Sequence, residues 1–361
     1  MQQYVMRCRR CGSTRLVKSG WKGDKQRWEC NDCGLRSISH IRSEDIEIVT
    51  EAVRLAKQKQ RHQDTNRIER KSFRDSVRLD TALEEIYTEF ITLLKDEKFQ
   101  ISTVKHKSLN SEVKLIIQIS DTHFNELIDL PANQYSIDKA KSRLNAFVDK
   151  IFTYGSLYLC DTVIIAFTGD QVNSDRRTDE MLSMCKPRAK AMFDAVDCFT
   201  DVILRLNERF NVEVAMVTGN ESRLDKEMGY SKLAGYQNYD FIINETLRRI
   251  FEGNKGIYFH PTDDPMEYVI SVNGKNILMM HDCPKIKYTK AKYADNGILI
   301  DYIIYGHQHE AMICDTYARS GSLVGSNGYS DHHIQVAGRA SQNLHVVYKD
   351  EFIDTIKVDL Q

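Results

Sequence analysis

Five short apolar runs punctuate the chain after residue 112, and each stops on side chains that carry oxygen or imidazole nitrogen. Val113 to Ser120 leads into Asp121-Thr-His123, and Asp161 to Thr168 into Gly169-Asp170. Val212 to Thr218 leads into Gly219-Asn220-Glu221, Asn276 to Met280 into His281-Asp282, and Tyr302 to Tyr305 into Gly306-His307-Gln-His309. Runs this short, rich in β-branched residues and leucine, predict buried strands rather than helices. Helical stretches near Ile137 to Tyr154, Thr178 to Leu206 and Tyr239 to Phe251 alternate with them, which is the pattern of an α/β domain. Asn273-Gly274, between the runs at Tyr268 and Asn276, predicts a hairpin turn.

Upstream the patterning changes. Ser43 is placed to cap a helix with Ile46, Val49, Val53 and Ala56 on one stripe, and Phe73, Val77, Leu83, Ile86, Phe90 and Leu93 mark a second. The basic stretch from Lys57 to Arg78 reads equally as a solvated helix face or as a surface for nucleic acid or a protein partner. Residues 1–42 are too few to bury a core without a staple. Cys8-x-x-Cys11 and Cys30-x-x-Cys33 have the spacing of a tetrahedral zinc site, and no βαβ pattern surrounds them to favour a redox pair. The expected division is a zinc ribbon at 1–42, a charged helical region at 43–110 and an α/β domain at 111–361.

Composition narrows the setting. The 361 residues are 42% hydrophobic with a formal net charge of -1, as expected of a soluble globular protein of two or three domains. No apolar run approaches the length of a membrane span, and Met-Gln-Gln-Tyr-Val-Met-Arg has no signal-peptide core, so a cytoplasmic protein without membrane contacts is expected. Nine cysteines, an odd number without a regular framework beyond the first four, fit a reducing compartment. The near-neutral total hides a basic N-terminus. There, nine Arg and Lys side chains from Arg7 to Arg36 face only Asp24, Glu29 and Asp32, with both tryptophans of the chain, Trp21 and Trp28, among them. Cations interleaved with aromatics suit phosphate contacts and base stacking. Cys160, Cys185, Cys198, Cys283 and Cys314 are expected as small buried hydrophobes, and His332, His333 and His345 as polar surface.

A single Asp after a strand is usually a helix cap, and a single His a satisfied polar group. Five strand ends in this order are a different pattern, because open α/β sheets bind ligands beyond the carboxyl ends of their strands. Carboxylate, imidazole and amide oxygen together suit Mn, Fe or Zn better than Mg or Ca. The glycines before Asp170, Asn220 and His307 fit turns where backbone must come close to the site.

From about Val113 to the C-terminus the ordered set resembles the calcineurin-like metallophosphoesterases. That resemblance implies a two-sheet sandwich flanked by helices and a dinuclear metal site, manganese first, with iron or zinc as alternatives. It implies that Asp121, His123 and His309 hold one metal, that Asp170 bridges both, and that Asn220, His281 and His307 hold the second. The family usually carries a His after the Asn as proton donor; here Glu221-Ser222-Arg223 follows, so Glu221 is the candidate acid and Arg223 a candidate phosphate ligand. Residues 8–34 resemble the zinc ribbons of insertion-sequence transposases, which implies one structural zinc and a nucleic-acid partner, DNA before RNA. Together the parts predict a metal-dependent phosphoesterase acting on nucleic-acid phosphodiesters. A scaffold that keeps the metals without turnover, or a protein phosphatase brought to nucleic acid, are the other readings.

Overall fold

The computed structural model describes residues 6–39, 41–42, 54–61, 63–64, 67, 102–107 and 111–361, apart from 177, 225–231, 262, 328–337 and 350–351. The chain divides into two units, Met1–Lys98 and Phe99–Gln361.

In the first unit, β1 (Met6–Arg7), β2 (Leu16–Lys22), β3 (Lys25–Cys30), β4 (Arg36–Ser37) and β5 (Ile41–Arg42) form a small antiparallel ribbon. β2, β3 and β4 make one sheet, and β1 pairs with β5. Residues 54–61 are helical and exposed, Ala56 among them. Ile46, Val49, Val53 and the second stripe from Phe73 to Leu93 lie outside the described residues.

The second unit is a sandwich of two sheets. Its strands are β6 (Val113–Ile119), the small hairpin β7 (Ile128–Leu130) and β8 (Asn133–Tyr135), β9 (Thr162–Thr168), β10 (Asn211–Val217), β11 (Ile257–Phe259), β12 (Glu267–Val272), β13 (Lys275–Met280), β14 (Tyr302–Tyr305), β15 (Met312–Cys314), β16 (Tyr317–Arg319), β17 (Ser341–Tyr348) and β18 (Ile353–Asp359). Its helices are α1 (Ile137–Leu157), α2 (Thr178–Leu182), α3 (Arg188–Asn207), α4 (Lys232–Tyr236), α5 (Tyr239–Ile250) and α6 (Ile286–Asp295). One six-stranded sheet runs β11-β10-β9-β6-β17-β18, with the first four strands parallel; the five-stranded sheet runs β12-β13-β14-β16-β15, with β13, β14 and β16 parallel.

Side-chain alternation on β6 builds the layers. Leu115, Ile117 and Ile119 pack with Phe147 and Ile151 of α1, Phe199 and Ile203 of α3, and Leu247 of α5. Ile116 points the other way, joining Ile164, Ala215 and Val217 against Ile277, Met279 and Ile304 of the second sheet. A polar thread crosses this inner layer. The Gln118 amide donates to Thr168 Oγ1 and to the Tyr305 carbonyl, and its oxygen meets His345 Nε2 at 3.1 Å. His345 Nδ1 reaches Thr355, whose hydroxyl bonds Tyr302 in the opposite sheet.

Several expectations change. The helical stretch Thr178 to Leu206 is two helices, because Pro187, with no N–H and a fixed φ, begins α3 rather than continuing α2. His345 is fully buried rather than on the surface, since β17 lies between β6 and β18 and its imidazole is satisfied by Gln118 and Thr355. Cys160, Cys198 and Cys283 are buried as expected, whereas Cys185 is exposed and Cys314 half-buried. His332 and His333 lie outside the described residues. The Asn273-Gly274 turn joins antiparallel β12 and β13, both residues at positive φ.

Candidate metal centres

Cys8, Cys11, Cys30 and Cys33 converge in the ribbon, with Cys8–Cys33 and Cys11–Cys30 Sγ separations of 3.5 Å. Four thiolates around one zinc at bond lengths near 2.3 Å would stand about 3.8 Å apart, and all four sulfurs lie within 4.8 Å of one another, close enough to share one ion. The two knuckles repeat one geometry, with Gly12 N donating to Cys8 O and Gly34 N to Cys30 O. Burial opposes ionisation of Cys8, yet backbone N–H donors near Cys11 and Arg10 and the adjacent thiols outweigh it and bring its pKa down to about 6.

In the sandwich, the loops leaving β6, β9, β10, β13 and β14 meet at one rim. Asp121, His123 and His309 form one compact set; Asp170, His281 and His307 form another. Each takes residues from both sheets. In the first, His123 Nε2 and His309 Nε2 are 3.1 Å apart, and His309 Nε2 is 3.5 Å from Asp121 Oδ1. In the second, His281 Nε2 lies 2.9 Å from Asp170 Oδ2, 3.0 Å from Asn220 Oδ1 and 3.2 Å from His307 Nδ1. Ligands about 2.0–2.2 Å from a common ion stand about 3.3–3.6 Å apart in a tetrahedral arrangement and about 2.8–3.1 Å apart in an octahedral one, so both sets fit a divalent cation. The sets abut, since the backbone N–H of His307 donates to both Asp121 oxygens at 3.1 Å.

Further hydrogen bonds and charges fix these side chains. His281 Nδ1 donates to the Thr168 carbonyl at 2.8 Å, which turns Nε2 toward Asp170 and Asn220. Burial alone would lower the His281 pKa, but the Asp170 carboxylate raises it to about 10. Asp170 conversely is held below its ordinary value: burial pushes it up, and the charge and hydrogen bond of His281 prevail. Asp121 and His309 form a similar couple, the carboxylate lowered and the imidazole raised by each other against burial.

The backbone is strained where these residues sit. Of seven non-glycine residues at positive φ among those described, five are Asp121, His123, Asp170, His307 and His309. The neighbouring glycines relieve crowding instead. A Cβ on Gly219 would fall 2.0 Å from Asp170 Oδ1, and one on Gly306 2.0 Å from Ser120 Oγ.

Sequence reading missed four residues that hold the rim together. Asp240, fully buried at the start of α5, accepts from the backbone N–H groups of Asp170, Gln171 and Gly219 at 2.8–3.0 Å. Burial and the nearby Asp170 charge raise its pKa, against the hydrogen bonds it accepts. Asn238 caps the same helix and donates to the Gly219 carbonyl; an Asn directly before the helical run was the available signal. Arg188 donates to the carbonyls of Glu221 and Arg223, and Arg176 pairs with the Glu221 carboxylate at 2.9 Å. No sequence pattern marked either arginine. Arg223 Nε donates to the Asn220 carbonyl and, with Asn220, His281 and His307, lines a cleft of about 650 Å³.

Fold and site together define an α/β sandwich whose rim carries two adjoining Asp/His ligand sets. No protein-family model matches the sequence, and no curated protein matches it. Among solved structures it is similar to Vps29 of Entamoeba histolytica complexed with zinc (13% identity, 68% of this chain and 99% of that one, TM-score 0.32). It is similar also to a 5'-nucleotidase of Candida albicans (10% identity, 72% of this chain and 54% of that one, TM-score 0.31) and a phosphatase of Mycoplasma pneumoniae (12% identity, 68% and 93%, TM-score 0.29).

Proposed function

We propose that the protein is a metal-dependent phosphoesterase that hydrolyses nucleic-acid phosphodiesters. The observation that carries the reading is the pair of Asp/His sets, which with Asn220 draw on five loops, abutting through His307 and Asp121. Two divalent ions bound there would supply a nucleophilic water at neutral pH and neutralise charge on the phosphoryl oxygens. In this reading Asp121, His123 and His309 hold one ion, Asn220, His281 and His307 the other, and Asp170 serves both. Arg223, whose Nε bonds the Asn220 carbonyl at the cleft, would bind a non-bridging phosphate oxygen as a cation.

The ribbon supports nucleic acid as substrate. Trp21 is 67% exposed on the β2–β3 hairpin, and Lys18 Nζ lies 5.9 Å from the Trp28 ring centre. An exposed aromatic among lysines and arginines offers stacking and phosphate contacts. DNA is placed before RNA, in keeping with the transposase-type ribbon, and the exposed basic residues 54–61 are a second candidate contact for nucleic acid or a protein partner.

The test is hydrolysis by chelator-treated protein with manganese, iron or zinc restored, offered single- and double-stranded DNA, RNA and a chromogenic phosphomonoester. Metal-dependent cleavage of DNA above the monoester is the expected result. Protein that binds two ions and cleaves no diester would be a scaffold, and the nuclease reading would be abandoned. That outcome has one observation in its favour, the Glu at position 221 where the resembling family has a proton donor.

A further inference from the structure

We propose that Glu221 is a positioning residue for the second ligand set, its carboxylate being held by Arg176 so that it turns the oxygen of the Asn220 amide toward the metal. The inference rests on the metal reading above and replaces the role of acid expected for Glu221 from sequence.

A side-chain amide offers a cation only its oxygen, and its NH2 group must find an acceptor elsewhere. Here Asn220 Nδ2 donates to Glu221 Oε1 at 2.8 Å, and Asn220 Oδ1 lies 3.0 Å from His281 Nε2, among the ligand atoms. Rotating the amide by half a turn would place NH2 against the metal and oxygen against carboxylate, two repulsive contacts. Glu221 therefore selects the ligating orientation.

Glu221 is itself fixed. Its second oxygen accepts from Arg176 Nη2 at 2.9 Å, its N–H donates to Asp170 Oδ1 at 2.7 Å, and its carbonyl accepts from Arg188 Nη2 at 2.8 Å. Arg176 is anchored in turn, Nε donating to Ser174 Oγ at 2.6 Å and its backbone N–H to Glu180 Oε2 at 3.0 Å. The chain runs from the β9 loop through Arg176 and Glu221 to Asn220, and both carboxylate oxygens are used as acceptors. Such an arrangement serves orientation; a proton donor would need its O–H turned toward the substrate.

The experiment titrates the metal-free full-length protein with Co²⁺ and follows both calorimetry and the visible Co²⁺ spectrum, so that the readout does not depend on turnover. E221A and R176M should each weaken the second ion about 10- to 100-fold and leave the first unchanged, as loss of an outer-layer partner does. The isosteric E221Q keeps an acceptor oxygen for Asn220 and should fall between E221A and wild type, which covers the case in which E221A does not fold. The double variant E221A/R176M should be no weaker than E221A, because both act through one contact. N220D in the E221A background should restore the second ion, since a carboxylate presents oxygen whichever way it turns; a merely structural loss would not be rescued. Wild-type affinity and spectrum in E221A and E221Q, with rate lost only on poor leaving groups, would make Glu221 the acid and overturn the proposal. Failure of the wild type to bind two ions would instead overturn the metal reading itself.

Discussion

Asp170 is the residue on which most of the rim converges. It touches His281 through one carboxylate oxygen, takes the Glu221 N–H on the other, gives its own N–H to Asp240, and holds φ at +54°. Asn tolerates that backbone conformation, so Asp170→Asn removes charge without forcing the loop to move. The expected outcome is a fall of at least about 100-fold in metal-dependent diester hydrolysis, with weakened binding of both ions measured by equilibrium dialysis. Full activity with both metals retained would count against the site. The candidate side chains at the five strand ends, and their order along the chain, were legible from residues alone. Arg176 was not, because its partner Glu221 is 45 residues away and only the fold brings them together.

At the scale of elements, the start of α5 acts as a clamp between the β9 and β10 loops. Asp240→Ala would leave three N–H groups in a buried place without their acceptor, at about 1–3 kcal/mol each. Lower denaturation midpoints and loss of metal from the second set are expected together; Asp240→Asn, which keeps one acceptor oxygen, should lose less. The ribbon is the other separable element. Cys30→Ser with Cys33→Ser should release one zinc by colorimetric assay and unfold the ribbon, while turnover of a small chromogenic diester persists, because the sandwich has its own core. Lost turnover in a variant whose sandwich still melts cooperatively would show that the ribbon takes part in the chemistry.

The whole sandwich depends on how its two sheets are aligned, since each ligand set has members in both. His345 belongs to the polar thread that links them, and full burial pushes its pKa down to about 3 from 6.5. The folded state refuses a proton that the unfolded chain accepts between those values. His345 therefore costs nothing above pH 6.5, and stability falls as pH drops from 6.5 toward 3 by about 1.4 kcal/mol per unit. Urea unfolding at pH 7 and at pH 4.5 should reveal this slope, and His345→Gln should lessen it by that amount. An identical slope in the variant would place the acid sensitivity elsewhere. Among the described residues no helix is long and apolar enough to cross a membrane.

The strands that carry the candidate metal-binding residues could be read in the sequence because their runs are apolar and short and end in chemically distinctive residues; the observed bounds of β6, β9, β10, β13 and β14 follow those runs to within a residue or so. The cysteine knuckles were legible for the same reason, since spacing within a few residues is local information. β17 was not: His345 was expected on the polar surface, yet it and its neighbours Ser341 to Leu344 are all buried in a strand paired to β6 on one side and β18 on the other. Burial of such a strand is decided by partners more than 200 residues distant, as when Gln342 exchanges hydrogen bonds with Ser120. The same holds for Asp240, Arg188 and Arg176, whose roles arise from contacts across loops. Local patterning thus determined which side chains could bind a metal and on which strand ends they lie. Tertiary structure alone decided which of them meet, because the distances that permit shared ligation are set by the alignment of two sheets, and no periodicity along one chain encodes that alignment.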